Sequence, residues 1–179
     1  RGGVVVGVEV AKILKAPLDV VIARKVGVPF QPELGMGAVA EGGIKILDKD
    51  LIRRIRKPEK SVNEVVAKEK KEIQRRVNLY RQGMPIIDIK NKVVILVDDG
   101  LATGVSATAA IKSLKKLKPK KIIFAAPVCA KDSVVEVKGV ADGLFCLLTP
   151  SKFSSVGLWY QNFDQVTDEK VKQLLKNNS

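Results

Sequence analysis

The 179-residue chain contains no histidine. That absence removes the Ser-His-Asp triad, Cys-His nucleophiles, HExxH zinc sites and most zinc fingers together. Cysteine is scarce as well. Cys129 and Cys146 stand in the apolar runs FAAPVCA and GLFCLL without a CxxC spacing, so two separate buried thiols in a reducing cytoplasm are expected. The strongly apolar runs, such as residues 93–97 and 122–128, fall far short of the ~20 residues a membrane span needs. There is also no basic-then-apolar leader, although the chain opens at Arg1 and not at Met. The two free thiols make a cytoplasmic location the expectation. Aromatic residues are only 4% of the chain, and acids are outnumbered by bases, 19 to 32.

What is present describes one ordinary folded domain. Apolar residues make up 46%, which excludes intrinsic disorder, and a chain this long buries roughly two-thirds of the surface its unfolded form exposes. No repeat, low-complexity stretch or linker divides residues 1–179.

Hydrophobic periodicity predicts alternating elements. VVVGVEVAKILK reads as a helix with Val6, Val10, Ile13 and Leu14 on one stripe, closed by Pro17. LDVVIARK, residues 18–25, reads as a buried strand. Residues 26–43 are rich in Gly, which predicts a flexible loop or an irregular hairpin. A short strand IKIL and helices over residues 48–82 follow, the longer one announced by a capping box at Ser61 and Glu64. From Lys92 the order is strand, turn, helix, strand, helix, strand, with a last helix from Asp168 capped by Thr167. This alternation predicts an α/β fold: a mostly parallel central sheet with helices on both faces, a helical insertion at 48–82 and a small C-terminal region at 149–179.

The segment VVILVDDGLATGVS, residues 93–106, carries the chemistry. A buried strand ends in two adjacent acids, Asp98 and Asp99, which can accept hydrogen bonds from two vicinal hydroxyls. A small-residue turn with Thr103, Gly104 and Ser106 then opens a helix, whose free N–H groups suit a phosphate. The combination describes a sugar phosphate held by its diol and its phosphate. A Walker A loop is excluded, because Val105 stands where its Lys belongs.

VVILVDDGLATGVSA resembles the phosphoribosyl diphosphate (PRPP) signature of the type I phosphoribosyltransferases. The resemblance extends through RGGVVVGVEV, EIQRRVNLYRQG and FSSVGLWYQNF to a microbial subgroup without an established acceptor. It implies the family's fold, transfer of ribose 5-phosphate from PRPP to a nitrogenous base, and Mg²⁺ held mainly by substrate and water with Asp98 and Asp99. Residues Ala102, Thr103, Gly104, Val105 and Ser106 would wrap the 5-phosphate. Asp98 and Asp99 would hold the ribose hydroxyls. Arg1, Gly2 and Gly3 match the diphosphate loop, with Arg24 and Lys25 as basic partners. Phe153, Trp159 and Tyr160 would form a hood over the acceptor, and residues 26–43 would close over the site. With no His, Glu41 is a candidate general base. The resemblance also implies a homodimer and a strand ahead of Arg1. Ala102 replaces the Asp of the hypoxanthine-guanine branch, so the chain resembles the adenine and orotate branch there.

Charge adds a second functional class. Residues 44–82 hold 13 basic and 6 acidic residues, and residues 112–121 hold six Lys. Either a solvated surface or a nucleic-acid patch fits such runs, and the alternative function is a PRPP-responsive regulator of RNA or DNA.

Overall fold

The computed structural model describes residues 1–56 and 58–178. Helix α1 (Gly2–Leu14) is followed by strands β1 (Ala23–Val28), β2 (Gln31–Ala40) and β3 (Ile44–Leu47), then by helices α2 (Lys49–Ile55) and α3 (Glu59–Arg81). The second half is β4 (Val93–Val97), α4 (Val105–Lys115), β5 (Lys121–Val128), α5 (Lys131–Lys138), β6 (Gly143–Leu148) and α6 (Asp168–Lys176). The chain is α/β, as its alternating pattern predicts.

The strands divide into two three-stranded sheets. In order β4-β5-β6 they are parallel, joined by α4 and α5 as crossovers; in order β1-β2-β3 they are antiparallel. Helix α4 ties the sheets together. Its Ala109 packs with Ala38 and Ala40 of β2, where small side chains let helix and strand approach closely, while Ile111 and Leu114 join Ile122 and Phe124 of β5. A second core gathers Val26, Met36 and Val39 of the antiparallel sheet against Val62, Val66, Ile73 and Tyr80 of α3 and Val171 of α6.

Several local expectations change in three dimensions. Helix α1 buries Gly7, Val8 and Ala11, while Ile13, expected on the buried stripe, is 81% exposed. Helix α3 starts at Glu59 behind Pro58, whose carbonyl accepts from the Ser61 and Val62 N–H groups, so Ser61 lies inside the helix and caps nothing. The proline's restricted φ sets the entry one turn early. The region 26–43 is mostly a hairpin with an irregular register at Gly27 and Val28; Met36 to Ala40 are buried and residues 30–35 form its exposed end. Cys129 and Cys146 are not separate thiols. They form a disulfide with Cα atoms 6.4 Å apart, because parallel pairing sets the ends of β5 and β6 side by side.

The strand expected at 18–25 begins only at Ala23. Residues 18–22 lie outside any strand and are held mainly by side chains, with one backbone bond from the Glu41 N–H to the Ile22 carbonyl at 3.1 Å. The Arg81 guanidinium donates to the Val20 carbonyl and lies in ion pairs with Asp19 (3.2 Å) and Glu41 (2.8 Å). Glu41 also accepts from the Ile22 N–H at 2.8 Å, and Asp19 from the Ile87 N–H at 2.9 Å. Across from this segment lies a largely apolar cavity of about 500 Å³, walled by α1, α4 and residues 92–98. It separates the two sheets along the outer edge of β4, which has no strand partner among the described residues.

A second charged junction joins the helices. Asp168 at the start of α6 accepts from Arg1 (3.2 Å), Arg75 (2.7 Å) and the Tyr80 hydroxyl (2.5 Å). These bonds, Tyr80 first, hold its carboxyl down at about 2.

Both junctions can be tested by substitution. Arg81→Ala strands Asp19 and Glu41 without their cation, and denaturant unfolding should show a loss of about 3–5 kcal/mol; a loss below about 1 kcal/mol would exclude a structural role. Asp168 has a depressed pKa, so its stabilisation is complete above the ordinary carboxylate range and disappears as pH falls through about 2. Asp168→Asn should therefore melt below wild type at pH 7, with the gap closing toward pH 2.

Candidate functional site

Strand β4 is apolar until it ends, and the Asp98 N–H extends its pairing to the Ala125 carbonyl at 3.1 Å. The two acids thus stand at the carboxyl edge of a parallel sheet, where open α/β sheets place their ligands. The first turn of α1 lies directly on them. A Cβ added at Gly2 would fall 1.8 Å from Asp99 Oδ2, and one at Gly3 would fall 2.6 Å from Asp98 Oδ1. Only glycine fits there, so Arg1-Gly2-Gly3 and the acid pair form one surface.

Burial lifts the Asp98 carboxyl to about 7, and the neighbouring Asp99 charge adds to the effect. Asp98 Oδ1 also accepts the Asp99 N–H at 3.0 Å, a bond that opposes the rise. The site therefore contains an acid poised to ionise fully once a cation or hydroxyl donors arrive.

Beyond the acids the chain turns through Gly100 and Leu101. Leu101 is anchored to the end of β5, donating to the Val128 carbonyl (2.9 Å) and accepting from the Ala130 N–H (2.8 Å). Thr103 is exposed, and Gly104 adopts φ 75° as the residue before α4. The first backbone bond into α4 runs from the Thr108 N–H to the Gly104 carbonyl at 2.8 Å, so the amides of Val105, Ser106 and Ala107 precede the helical ladder and face the turn as donors. Helix α5 buttresses the turn from behind. Ser133 donates to the Ala102 carbonyl, and Glu136 accepts from Thr108 at 3.4 Å. Sequence reasoning did not single out Ser133 or Glu136, since nothing local marks a residue whose work is to hold a distant loop.

The C-terminal segment covers the other side. A short 3-10 turn, Val156–Trp159, packs Val156 onto Gly100, where an added Cβ would meet Val156 Cγ1 at 2.5 Å. The Tyr160 hydroxyl donates to the Asp99 carbonyl at 2.5 Å, and its ring leans on Phe163 with centroids 5.2 Å apart. Burial raises the Tyr160 pKa, with the Asp99 and Asp98 charges adding to it, so this donor keeps its proton. Trp159 is 42% exposed and Phe153 half-buried.

This arrangement matches one known family. The family model described as the phosphoribosyl transferase domain matches residues 1–161. This chain belongs to the phosphoribosyl transferase family. Two Mycobacterium tuberculosis proteins provisionally named phosphoribosyl transferases, from strains CDC 1551 / Oshkosh and H37Rv, are each 42% identical to it over 175 residues. The match covers 98% of this chain and 40% of those proteins, so the chain spans well under half of their length. The crystal structure of TT1426 from Thermus thermophilus superposes with a TM-score of 0.79 at 37% identity, covering 100% of this chain and 85% of that one.

Within this phosphoribosyl transferase fold, Gly2, Gly3, Asp98, Asp99, the 102–106 turn and Tyr160 come together. The cations assigned to the diphosphate have other partners. Arg1 pairs with Asp168, Arg24 with Glu69 at 2.7 Å, and the Lys25 ammonium donates to the Glu33 carbonyl at 2.5 Å. No hydrogen bond or ion pair links Arg24 or Lys25 to the acid pair. Glu41 is not a free base, because both its oxygens are bound in the Arg81 junction. Among the described residues, no group of three or more His, Cys, Asp and Glu side chains forms a metal cage. The protein's own oxygen donors are the acid pair, which fits Mg²⁺ carried largely by substrate oxygens and water. No helix among the described residues is long and apolar enough to cross a membrane.

The buried Asp98 sets a pH dependence. Its folded pKa lies above its unfolded value, so between about 4 and 7 the unfolded chain releases a proton that the folded chain keeps, and stability falls as pH rises through that window. Asp98→Asn removes the penalty. Thermal melts should place the variant above wild type at pH 8, with the difference shrinking toward pH 4; a difference independent of pH would contradict a titrating Asp98.

Proposed function

We propose that the chain moves ribose 5-phosphate from PRPP to a nitrogen of a planar base and releases diphosphate. The observation that carries this reading is the buried acid pair lying between the glycine turn of α1 and the N–H donors that open α4. A diol bound at Asp98 and Asp99 leaves the 5-phosphate within the turn of Ala102 to Ser106, with Thr103 and Ser106 hydroxyls as further donors. The anomeric carbon then lies beside the Arg1-Gly2-Gly3 turn, the segment assigned to the diphosphate, which packs on the acid pair because its glycines carry no side chain.

In this reaction the bond from C1 to the diphosphate oxygen breaks, its electron pair leaving with diphosphate, and a bond from the acceptor nitrogen to C1 forms as the proton on the base passes to solvent. Positive charge spreads over C1 and the ring oxygen in between. Asp98 and Asp99 orient the ribose and place negative charge beneath that cation. Bound Mg²⁺ supplies neutralisation of the leaving group, alongside Arg1 and Lys25 once they turn from their present partners. Tyr160 and Val156 fix the hood against the acid-pair loop, and Trp159 offers a face on which a planar acceptor stacks. A homodimer belongs to the same reading, by family resemblance.

Calorimetric titration of PRPP with and without Mg²⁺ tests the donor site. Saturable binding that requires Mg²⁺ and falls at least about a hundredfold in Asp98→Asn/Asp99→Asn is the expected result, followed by base-dependent diphosphate release. Absence of binding by the folded wild type would overturn the reading.

A further inference from the structure

The cations of this protein sort by residue type. Six arginines, Arg1, Arg24, Arg53, Arg75, Arg76 and Arg81, lie in ion pairs, and Lys12 is the one lysine that does so among the described residues. In the basic run 44–82, which looked most like a nucleic-acid patch by count, four arginines are cross-linked, Arg53 to Asp50, Arg75 and Arg76 to Glu72, and Arg81 to Asp19 and Glu41, while the described lysines of the run have no ion pair. A second concentration of unpaired charge sits elsewhere.

It sits at the amino edge of the parallel sheet. Loop 90–92 enters β4 and loop 118–121 enters β5, and the two are laced together by the Asn91 N–H on the Lys118 carbonyl (3.0 Å) and the Lys120 N–H on the Lys92 carbonyl (2.8 Å). Lys90, Lys92, Lys118, Lys120 and Lys121 are all exposed there, and α4 ends at the same edge with Lys115 exposed. None of these six has an ion pair among the described residues. Two acids lie nearby and offset part of this charge: Asp88 accepts the Lys90 N–H at 3.0 Å and Asp142 the Ile122 N–H at 2.7 Å. Five lysines on two interlaced loops and Lys115 beside them repel one another, and counterions or a polyanion relieve the repulsion that Asp88 and Asp142 leave.

We propose that this lysine edge is a docking surface for the sugar-phosphate backbone of a nucleic acid. The surface carries no aromatic side chain on either loop, so it offers phosphate contacts without base stacking and would bind independently of sequence. The apolar face of α4 is already packed against the sheets, which leaves no amphipathic face to enter a membrane. The edge lies at the opposite end of β4 from Asp98, about 20 Å away along the strand, so nucleic acid and PRPP do not compete for one place. The inference stands apart from the transferase reading and survives its failure.

Fluorescence anisotropy with a labelled 20-nucleotide single-stranded RNA and a 20-base-pair DNA duplex, from 50 to 300 mM KCl, tests it. Wild type should bind both at 50 mM and weaken steeply with salt. Lys118→Gln/Lys120→Gln/Lys121→Gln should lose at least tenfold in affinity and lower the log-log salt slope by about 2–3. Lys68→Gln/Lys70→Gln/Lys71→Gln on α3 removes the same charge and should change affinity less than twofold. Thermal melts confirm folding, with Lys90→Gln/Lys92→Gln as the substitute if the first triple variant melts early. Equal losses in both triple variants, no binding at 50 mM, or binding to phosphatidylserine vesicles but to neither nucleic acid would overturn the proposal.

Discussion

Two glycines and two aspartates meet at the centre of this protein, and the rest of the site is arranged around their contact. The acids lie so close beneath the first turn of α1 that a methyl group at Gly2 or Gly3 would overlap a carboxylate. That approach buries Asp98, and the burial raises its pKa. The contact lowers stability at neutral pH, a relation common where buried charge is kept for function.

Support for the acid pair comes from three directions that are remote in sequence. Helix α5 holds the 102–106 turn through Ser133 and the first part of α4 through Glu136, the C-terminal segment closes on Gly100 and Asp99 through Val156 and Tyr160, and the end of β5 clamps Leu101. The disulfide between Cys129 and Cys146 starts within that clamp, at the residue between Val128 and Ala130, and ties it to β6. A turn rich in small residues is thereby made rigid without bulky side chains of its own, leaving its N–H groups free for a ligand.

Charge follows a division of labour. Arginine, with its planar fork, bridges elements: Arg81 fastens the unpaired segment 18–22 to α3, and Arg1 and Arg75 fasten α1 and α3 to α6 through Asp168. Lysine is left unpaired, on α3 and at the amino edge of the parallel sheet, where solvent or a polyanion screens it. Tertiary contacts thus decide which of the cations behind the net charge of +13 are paired.

Local chemistry was enough for much of this protein. The α/β alternation, the strand-acid-acid-turn-helix order of residues 93–106 and the Thr167 cap are all short-range patterns, and each appears where the residues alone place it. Long-range facts were not legible. The buried face of α1, the side-chain tether of residues 18–22, the Glu41–Arg81 pair and the disulfide each depend on which surfaces come to face one another. Helical periodicity says that a stripe exists, while only the packed neighbours decide which stripe is covered. A carboxylate such as Glu41 has the chemistry of a base in any sequence; an arginine 40 residues away turns it into a structural tie.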